Sequence, residues 1–312
     1  MIICVSANPA IDRRVRLKKM IIGEVNRVEA TISFAGGKAA HVAMAAKTLG
    51  EEVIWIGFLG GATGEKVERQ LTEFGIKVIS IPTISETRCN DEIIDGNGVI
   101  TEILENGGVI QPTELQEFYQ VCEKTFAQYP KDFQAVFSGS LPPNVPTNFY
   151  FKLIKSAQSF GGTVLLDTSG NALSKGLEAK PDFVKPNKTE AKNICNFEIN
   201  NMDSAIKAAK ILQTNGAKNV ALSLGEDGLI WLNENSKILM AQPPKVQVKS
   251  TVGCGDATVA AFAIAEARKL NEKDTLKLAV ACGSANCLAE LPAQIKLKDV
   301  ENLLPKVAIL DF

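Results

Sequence analysis

Histidine is nearly missing from this chain of 312 residues, which holds a single one, His41. No metal site can be built on clustered histidines. Seven cysteines are scattered as Cys4, Cys89, Cys122, Cys195, Cys254, Cys282 and Cys287 with no Cys-x-x-Cys spacing, so neither a zinc site nor a redox dithiol is expected. An odd, dispersed set of thiols suits a reducing, cytoplasmic compartment. Charge of one sign is also lacking: 34 lysines and arginines face 35 acids, for a net charge of -1. No long-range field draws nucleic acid or an anionic membrane, and neither is expected as a partner. No apolar run approaches the roughly 18 residues of a membrane span. The amino terminus, "MIICVSANPAIDRRVR", places its arginines after a very short apolar run, the reverse of a secretory signal. No Gly-x-Gly-x-x-Gly follows the first strand, which argues against a dinucleotide-binding dehydrogenase, and the Gly-Lys-Ser/Thr of a P-loop is absent. Internal repeats, low-complexity segments and linkers are absent as well.

What is present is a large apolar fraction, 46%, in a strict alternation. Short β-branched runs ("IICVS", "VIWIGF", "KVISI", "QAVFSGS", "TVLLDTS", "DFVKPN", "NVALSLG") alternate with segments of helical period. The helical segments are "KAAHVAMAAKTLG", "GEKVERQLTEFG", "PTELQEFYQVCEKTFAQY", "PTNFYFKLIKSAQSFG" and "MDSAIKAAKILQTNG", four of the five closed by glycine. This pattern predicts an α/β fold, a mainly parallel central sheet with helices on both faces. Two stretches break it, about 12–33 and about 87–103, where short alternating segments carry turn signals. They read as hairpins outside the main sheet, forming a small β lid. One domain spanning 1–312 is expected, with that lid attached.

Ligands of such sheets collect beyond the carboxyl ends of the strands. There the sequence places small polar groups: Asn8, Ser138-Gly139-Ser140, Asp167-Thr168-Ser169, Lys185-Pro186-Asn187 and Ser223-Leu224-Gly225. The stretch "STVGCGDATVAAFAIA" is a glycine turn leading into an apolar helix, with one acid in its first turn. Unpaired amides at a helix start can hold an anion, so Gly253, Cys254 and Gly255 are candidates for an anion hole. Asp256 beside them could take the proton of a hydroxyl as phosphoryl charge is neutralised. Taken alone, such an acid is more often an ordinary one favoured by the helix start.

"NPAID", "FAGGKAAHVAMAAKTLG", "GFLGGATG", "FSGSLPPNVP", "LLDTSGNAL", "VKPNKTE", "LSLGEDG" and "STVGCGD" stand in the order and spacing of the PfkB (ribokinase-like) carbohydrate kinases. The chain resembles most the branch of 1-phosphofructokinases and tagatose-6-phosphate kinases. The resemblance implies a ribokinase-like fold and ATP-dependent phosphoryl transfer to a hydroxyl of a ketohexose phosphate, with ATP and Mg2+ required. It implies Asp256 as base, with the 253–255 amides as anion hole. It implies Lys185, Asn187, Ser223, Gly225, Asp227, Gly228 and Asn286 at the nucleotide, and Glu190 at magnesium through water. On the acceptor side it implies Asp12, Gly36 and Gly37 at the sugar, and Arg88, Lys38, Ser138 and Arg27 at its phosphate.

The sequence departs from the pattern where the family usually reads "GGKGxNVA". Ala39, Ala40 and His41 stand there, so His41 replaces an asparagine expected to touch the sugar. Asp91 and "TEILENGG" are further departures, and all fall at the acceptor and lid. A kinase of an unphosphorylated sugar, nucleoside or polyol therefore stays open, as does a sugar-phosphate-binding regulator without activity. Exposed lid edges would allow a homodimer.

Overall fold

The computed structural model describes residues 1–129 and 131–311. Its main sheet has ten strands. Seven run parallel: β1 (Ile2–Ser6), β4 (Val53–Leu59), β5 (Lys77–Pro82), β8 (Gln134–Ser138), β9 (Thr163–Asp167), β10 (Phe183–Val184) and β11 (Asn219–Ser223). Three antiparallel strands extend one side: β12 (Leu229–Leu232), β13 (Ile238–Gln242) and β14 (Ala308–Asp311). The order is β14-β13-β12-β11-β10-β9-β8-β1-β4-β5.

Each parallel strand predicted from sequence is present, although "DFVKPN" forms a ladder of only two residues. The antiparallel extension was not predicted, because its outermost pairing joins β13 to the carboxyl terminus across more than sixty residues. The central strands are apolar throughout because both of their faces are covered. Along β1, Ile2 and Cys4 enter one core, and Ile3 and Val5 enter the other. The period-2 geometry of a strand thus splits one run between two cores.

The first core is covered by α1 (Lys38–Thr48), α2 (Gly61–Glu73), α8 (Cys254–Ala267), α9 (Glu272–Leu288) and α10 (Leu297–Leu303). The second is covered by α3 (Pro112–Gln128), α4 (Phe149–Ser159), α5 (Gly170–Leu177), α6 (Lys188–Cys195) and α7 (Met202–Thr214). Ten of the fourteen residues of α8 are buried, which explains why its sequence is apolar on every side. Alanines dominate both α1 and α8, so their axes approach closely and their first turns come together above the sheet edge.

The lid is a separate sheet of four strands, β3 (Ala30–Gly36), β2 (Ala10–Arg16), β6 (Arg88–Ile94) and β7 (Ile100–Leu104), in that order. Both expected hairpins occur. They are joined into one sheet by a parallel β2–β6 pairing, a non-local contact that no turn signal announces. In that ladder Arg14 lies opposite Glu92. Their side chains are 4% and 8% exposed and form a bidentate ion pair at 2.7 and 2.9 Å. Arg14 also donates to the carbonyl of Glu290, which ties the lid to the segment beyond α9.

Removing one member of a buried pair leaves the other charge uncompensated. Glu92→Gln should therefore cost about 3–5 kcal/mol. The apolar double variant Arg14→Met/Glu92→Leu should cost much less. A double-mutant cycle in urea measures both, and a Glu92→Gln cost below the double variant's would show the pair is not what fixes the register.

Candidate active site

Beneath the lid, at the carboxyl ends of the parallel strands, lies a cavity of about 550 Å3. The lid contributes Asp12, Phe34, Arg88 and Asn90; the sheet edge contributes Gly139, Asp167, Lys185 and Ser223; the starts of α1 and α8 contribute Lys38, Gly253 and Asp256. Nine buried side-chain polar atoms lack a hydrogen bond among the described residues; three of them (Arg88 Nε, Asn90 Oδ1, Asp167 Oδ2) belong to residues lining this cavity, and a fourth, His41 Nε2, has only an ion-pair contact with Asp12. Native interiors pair such atoms, so their concentration here marks a place built for a ligand.

Asp256 is the third residue of α8 and faces the cavity, 6% exposed. The turn before it exists because Gly253 holds a left-handed conformation, φ 85°. Asn286 fixes this turn: its amide nitrogen donates to the Val252 carbonyl at 2.7 Å, and its oxygen accepts from the Ala293 N–H at 2.7 Å. Asn286 is 1% exposed and does not line the cavity, so the structure gives it a clamping contact behind the turn. Of the three expected amides, those of Gly253 and Gly255 have no partner among the described residues, whereas the Cys254 amide donates to the Thr251 carbonyl at 3.2 Å. Its thiol rests 3.4 Å from that of Cys287. Cys254 is thus turned away from the cavity.

His41, 4% exposed, lies between two carboxylates. Nδ1 is 2.8 Å from Asp256 Oδ2, and Nε2 makes an ion-pair contact of 3.1 Å with Asp12 Oδ2, outside hydrogen-bonding alignment. Burial disfavours the imidazolium, but the two acids outweigh it and raise the His41 pKa to about 10. Burial likewise opposes ionisation of Asp12, and His41, Asn90 and the Gly37 amide overcome it, so its pKa is lowered. Asn90 donates to Asp12 Oδ1 at 2.8 Å. Gly36 does not line the cavity; a Cβ there would fall 2.1 Å from the Asp12 carboxyl carbon, so only glycine leaves the carboxylate its place.

Lys38, expected beside an acceptor's phosphate, instead sits 3.4 Å from Asp167 and 3.2 Å from Glu190. Burial penalises its ammonium, yet the charges of Asp167, Glu190 and Asp256 raise its pKa. Lys185 is 3.8 Å from the same Asp167 oxygen. Arg88 is held differently. Its Nη atoms donate to the carbonyls of Glu105 and Asn8 at 2.6 and 3.1 Å, and no carboxylate among the described residues lies within ion-pair distance. Burial lowers its pKa, the mark of a cation without a neutralising neighbour. An anion is what this guanidinium lacks.

Asn187 and Glu190 form a capping box at the start of α6: Asn187 Oδ1 accepts from the Glu190 N–H at 2.8 Å, and Glu190 Oε2 accepts from the Asn187 N–H at 3.0 Å. Both reach the cavity, as does Ser223. The structure does not bring every expected residue there. Ser138 is fully buried at the end of β8, with Ser140 lining the cavity two residues on. Arg27 is exposed in the segment between β2 and β3. Gly225, Asp227 and Gly228 form a turn outside the lining, where Asp227 pairs with Lys188 at 3.0 Å.

Asp167 and Asn90 were missed as candidates. Asp167 stood among the polar strand ends and Asn90 beside Arg88, but neither position shows from sequence alone that it faces a ligand. No group of three or more metal-ligating side chains occurs among the described residues. The free oxygen of Asp167, with Glu190 near, is a hard donor set that fits Mg2+ retaining most of its waters.

A parallel sheet, a β lid and a glycine turn with an acid at a helix start together define a ribokinase-like enzyme fold. The profile of the pfkB family carbohydrate kinases matches residues 3–297, and the chain belongs to that family. It is 32% identical to the tagatose-6-phosphate kinase of Staphylococcus epidermidis over all of both chains. It is 31% identical to the 1-phosphofructokinase of Vibrio cholerae, covering 97% of this chain and 93% of that one. The crystal structure of Escherichia coli phosphofructokinase-2 in complex with substrates and products superposes with a TM-score of 0.90 at 28% identity, over 98% of each chain. An Arabidopsis thaliana ribokinase shares the fold at 21% identity, with a TM-score of 0.78 over 97% of this chain and 98% of that one. No helix among the described residues is long and apolar enough to cross a membrane.

Because His41 has a raised folded-state pKa, its contribution to stability is complete below the unfolded value, about 6.5, and is lost as pH rises through about 10. The stability difference between wild type and His41→Gln should shrink as pH goes from 7 to 10.5. Parallel denaturation curves across that range measure it, and a constant difference would show that His41 is not held as a cation.

Proposed function

We propose that this pfkB-family kinase transfers the terminal phosphoryl group of ATP to a hydroxyl of a ketohexose phosphate, of the fructose 1-phosphate or tagatose 6-phosphate type. The observation that carries the reading is one cavity holding Asp256, two unpartnered helix-start amides and an uncompensated arginine. Asp256 takes the proton as the acceptor O–H bond breaks. The new O–P bond forms as the bond to the leaving ADP oxygen breaks, with its electron pair going to ADP. The Gly253 and Gly255 amides and the Lys38 ammonium stabilise charge on the transferred group. Asp167 and Glu190 would hold Mg2+ through water, which offsets the charge of the phosphates. Asp12, oriented by Asn90 and Gly37, accepts bonds from sugar hydroxyls, and Arg88 binds the acceptor's phosphate.

Relatives named tagatose-6-phosphate kinase and 1-phosphofructokinase support a phosphorylated acceptor. Asp91 does not argue against one, because Arg13 neutralises it with two bonds of 2.7 Å. The exposed Ile32, Ile103 and Leu104 of the lid sheet support a homodimer through that sheet. Seven unbridged cysteines fit a cytoplasmic setting.

ATP consumption measured against a panel of sugars and sugar phosphates tests the reading directly. Turnover with a ketohexose phosphate is expected. Turnover only with neutral sugars, or binding without turnover, would replace it by the neutral-acceptor kinase or the regulator. Asp256→Asn should lower kcat by about 10²-fold or more with ATP binding kept. Arg88→Ala should raise the acceptor KM by roughly 10-fold or more; an unchanged KM would remove the phosphate from its role.

A further inference from the structure

Cys254 and Cys287 stand 33 residues apart in sequence, yet their sulfurs are 3.4 Å apart. One opens α8 between the two unpartnered amides, and the other lies near the end of α9. Both are partly exposed, whereas Cys4, Cys122 and Cys282 are buried. The two thiols are also unequal. Hydrogen bonding from Cys254 outweighs burial and brings the Cys287 thiol down to about 7, while the same bond and burial push Cys254 up. Every other cysteine for which burial dominates is raised, so Cys287 is the thiol that ionises first.

We propose that Cys254 and Cys287 form a modification site, joined by a peroxide-class oxidant into an intramolecular disulfide that distorts the 253–255 turn. The Cys287 thiolate attacks one peroxide oxygen; the O–O bond breaks, giving a sulfenic acid and, for hydrogen peroxide, hydroxide that takes up a proton as water. The Cys254 sulfur then displaces hydroxide from that sulfenic acid, loses its proton, and a second water leaves. Two thiols are oxidised, one peroxide is reduced, and a dithiol reductant reverses the change.

A disulfide requires sulfurs about 2.05 Å apart, so the present gap must close by roughly 1.4 Å. The turn has little slack to follow. The space beside Gly253 is walled by Pro292 and the Ala293 amide, and Asn286, adjacent to Cys287, holds both the Val252 carbonyl and the Cys254 sulfur. Pulling Cys254 toward α9 draws its neighbours' amides off the cavity. The pairing itself does not depend on the kinase reading; its effect on turnover does.

The test treats the reduced full-length enzyme with graded hydrogen peroxide, then counts thiols after denaturation and maps peptides by mass spectrometry. The expected result is a fall from seven thiols to five, a 254–287 cross-linked peptide, and a loss of ATP turnover of about 10-fold or more that dithiothreitol restores. Cys287→Ala and Cys287→Ser should keep the starting turnover and resist that loss. Seven thiols remaining, a cross-link elsewhere, or a closed 254–287 pair with unchanged turnover would each overturn the proposal. A protein that forms the cross-link but turns over no sugar or sugar phosphate in its reduced form would count against the kinase reading, leaving the pairing intact.

Discussion

A buried imidazolium between two carboxylates holds the centre of this molecule together. His41 touches Asp256 on the helix start of α8 and Asp12 on lid strand β2, so one charged ring links the main domain to the lid. Two carboxylates facing one another across a poorly solvated place would repel. The ring between them offsets that repulsion and helps hold the Asp12 pKa down. It also orients Asp256, which meets Nδ1 at 2.8 Å, and draws Asp12 to its other nitrogen by charge. The positions of Asp256 and Asp12 are set by a residue that is itself nearly closed to solvent.

Around that centre the charges alternate. Lys38 lies between Asp167 and Glu190, and Lys185 lies beyond Asp167. Most cations in the cavity are therefore already neutralised, and Arg88 is the exception, satisfied only by carbonyls. This asymmetry separates the two ends of the site. One end offers paired lysines and helix-start amides suited to a transferring phosphoryl group, and the other offers a lone guanidinium suited to a fixed anion. His41, bonded to Asp256 and facing Asp12, stands between these ends.

Rigid support comes from behind the cavity. Asn286 and the segment after α9 brace the glycine turn, and Arg14 reaches that same segment from the lid through the Glu290 carbonyl. The turn, the lid and the end of α9 thus share one small region. Asn286 was expected at the nucleotide, and its buried position shows instead how a polar side chain in an apolar helix serves by satisfying backbone groups.

The parallel strands, the helices between them and the two lid hairpins were legible in the sequence, because each is written in local periodicity and closed by local turn residues. Asp256 was legible too, since a glycine turn before an apolar helix announces a helix start and whatever acid it carries. What only the tertiary structure decided are meetings across the chain: His41 with Asp12 and Asp256, Lys38 with Asp167 and Glu190, Cys254 with Cys287, β2 with β6, and β13 with β14. These depend on how helices settle on a sheet and how a lid docks. No period or spacing records that geometry, because it is fixed by packing between segments far apart in sequence.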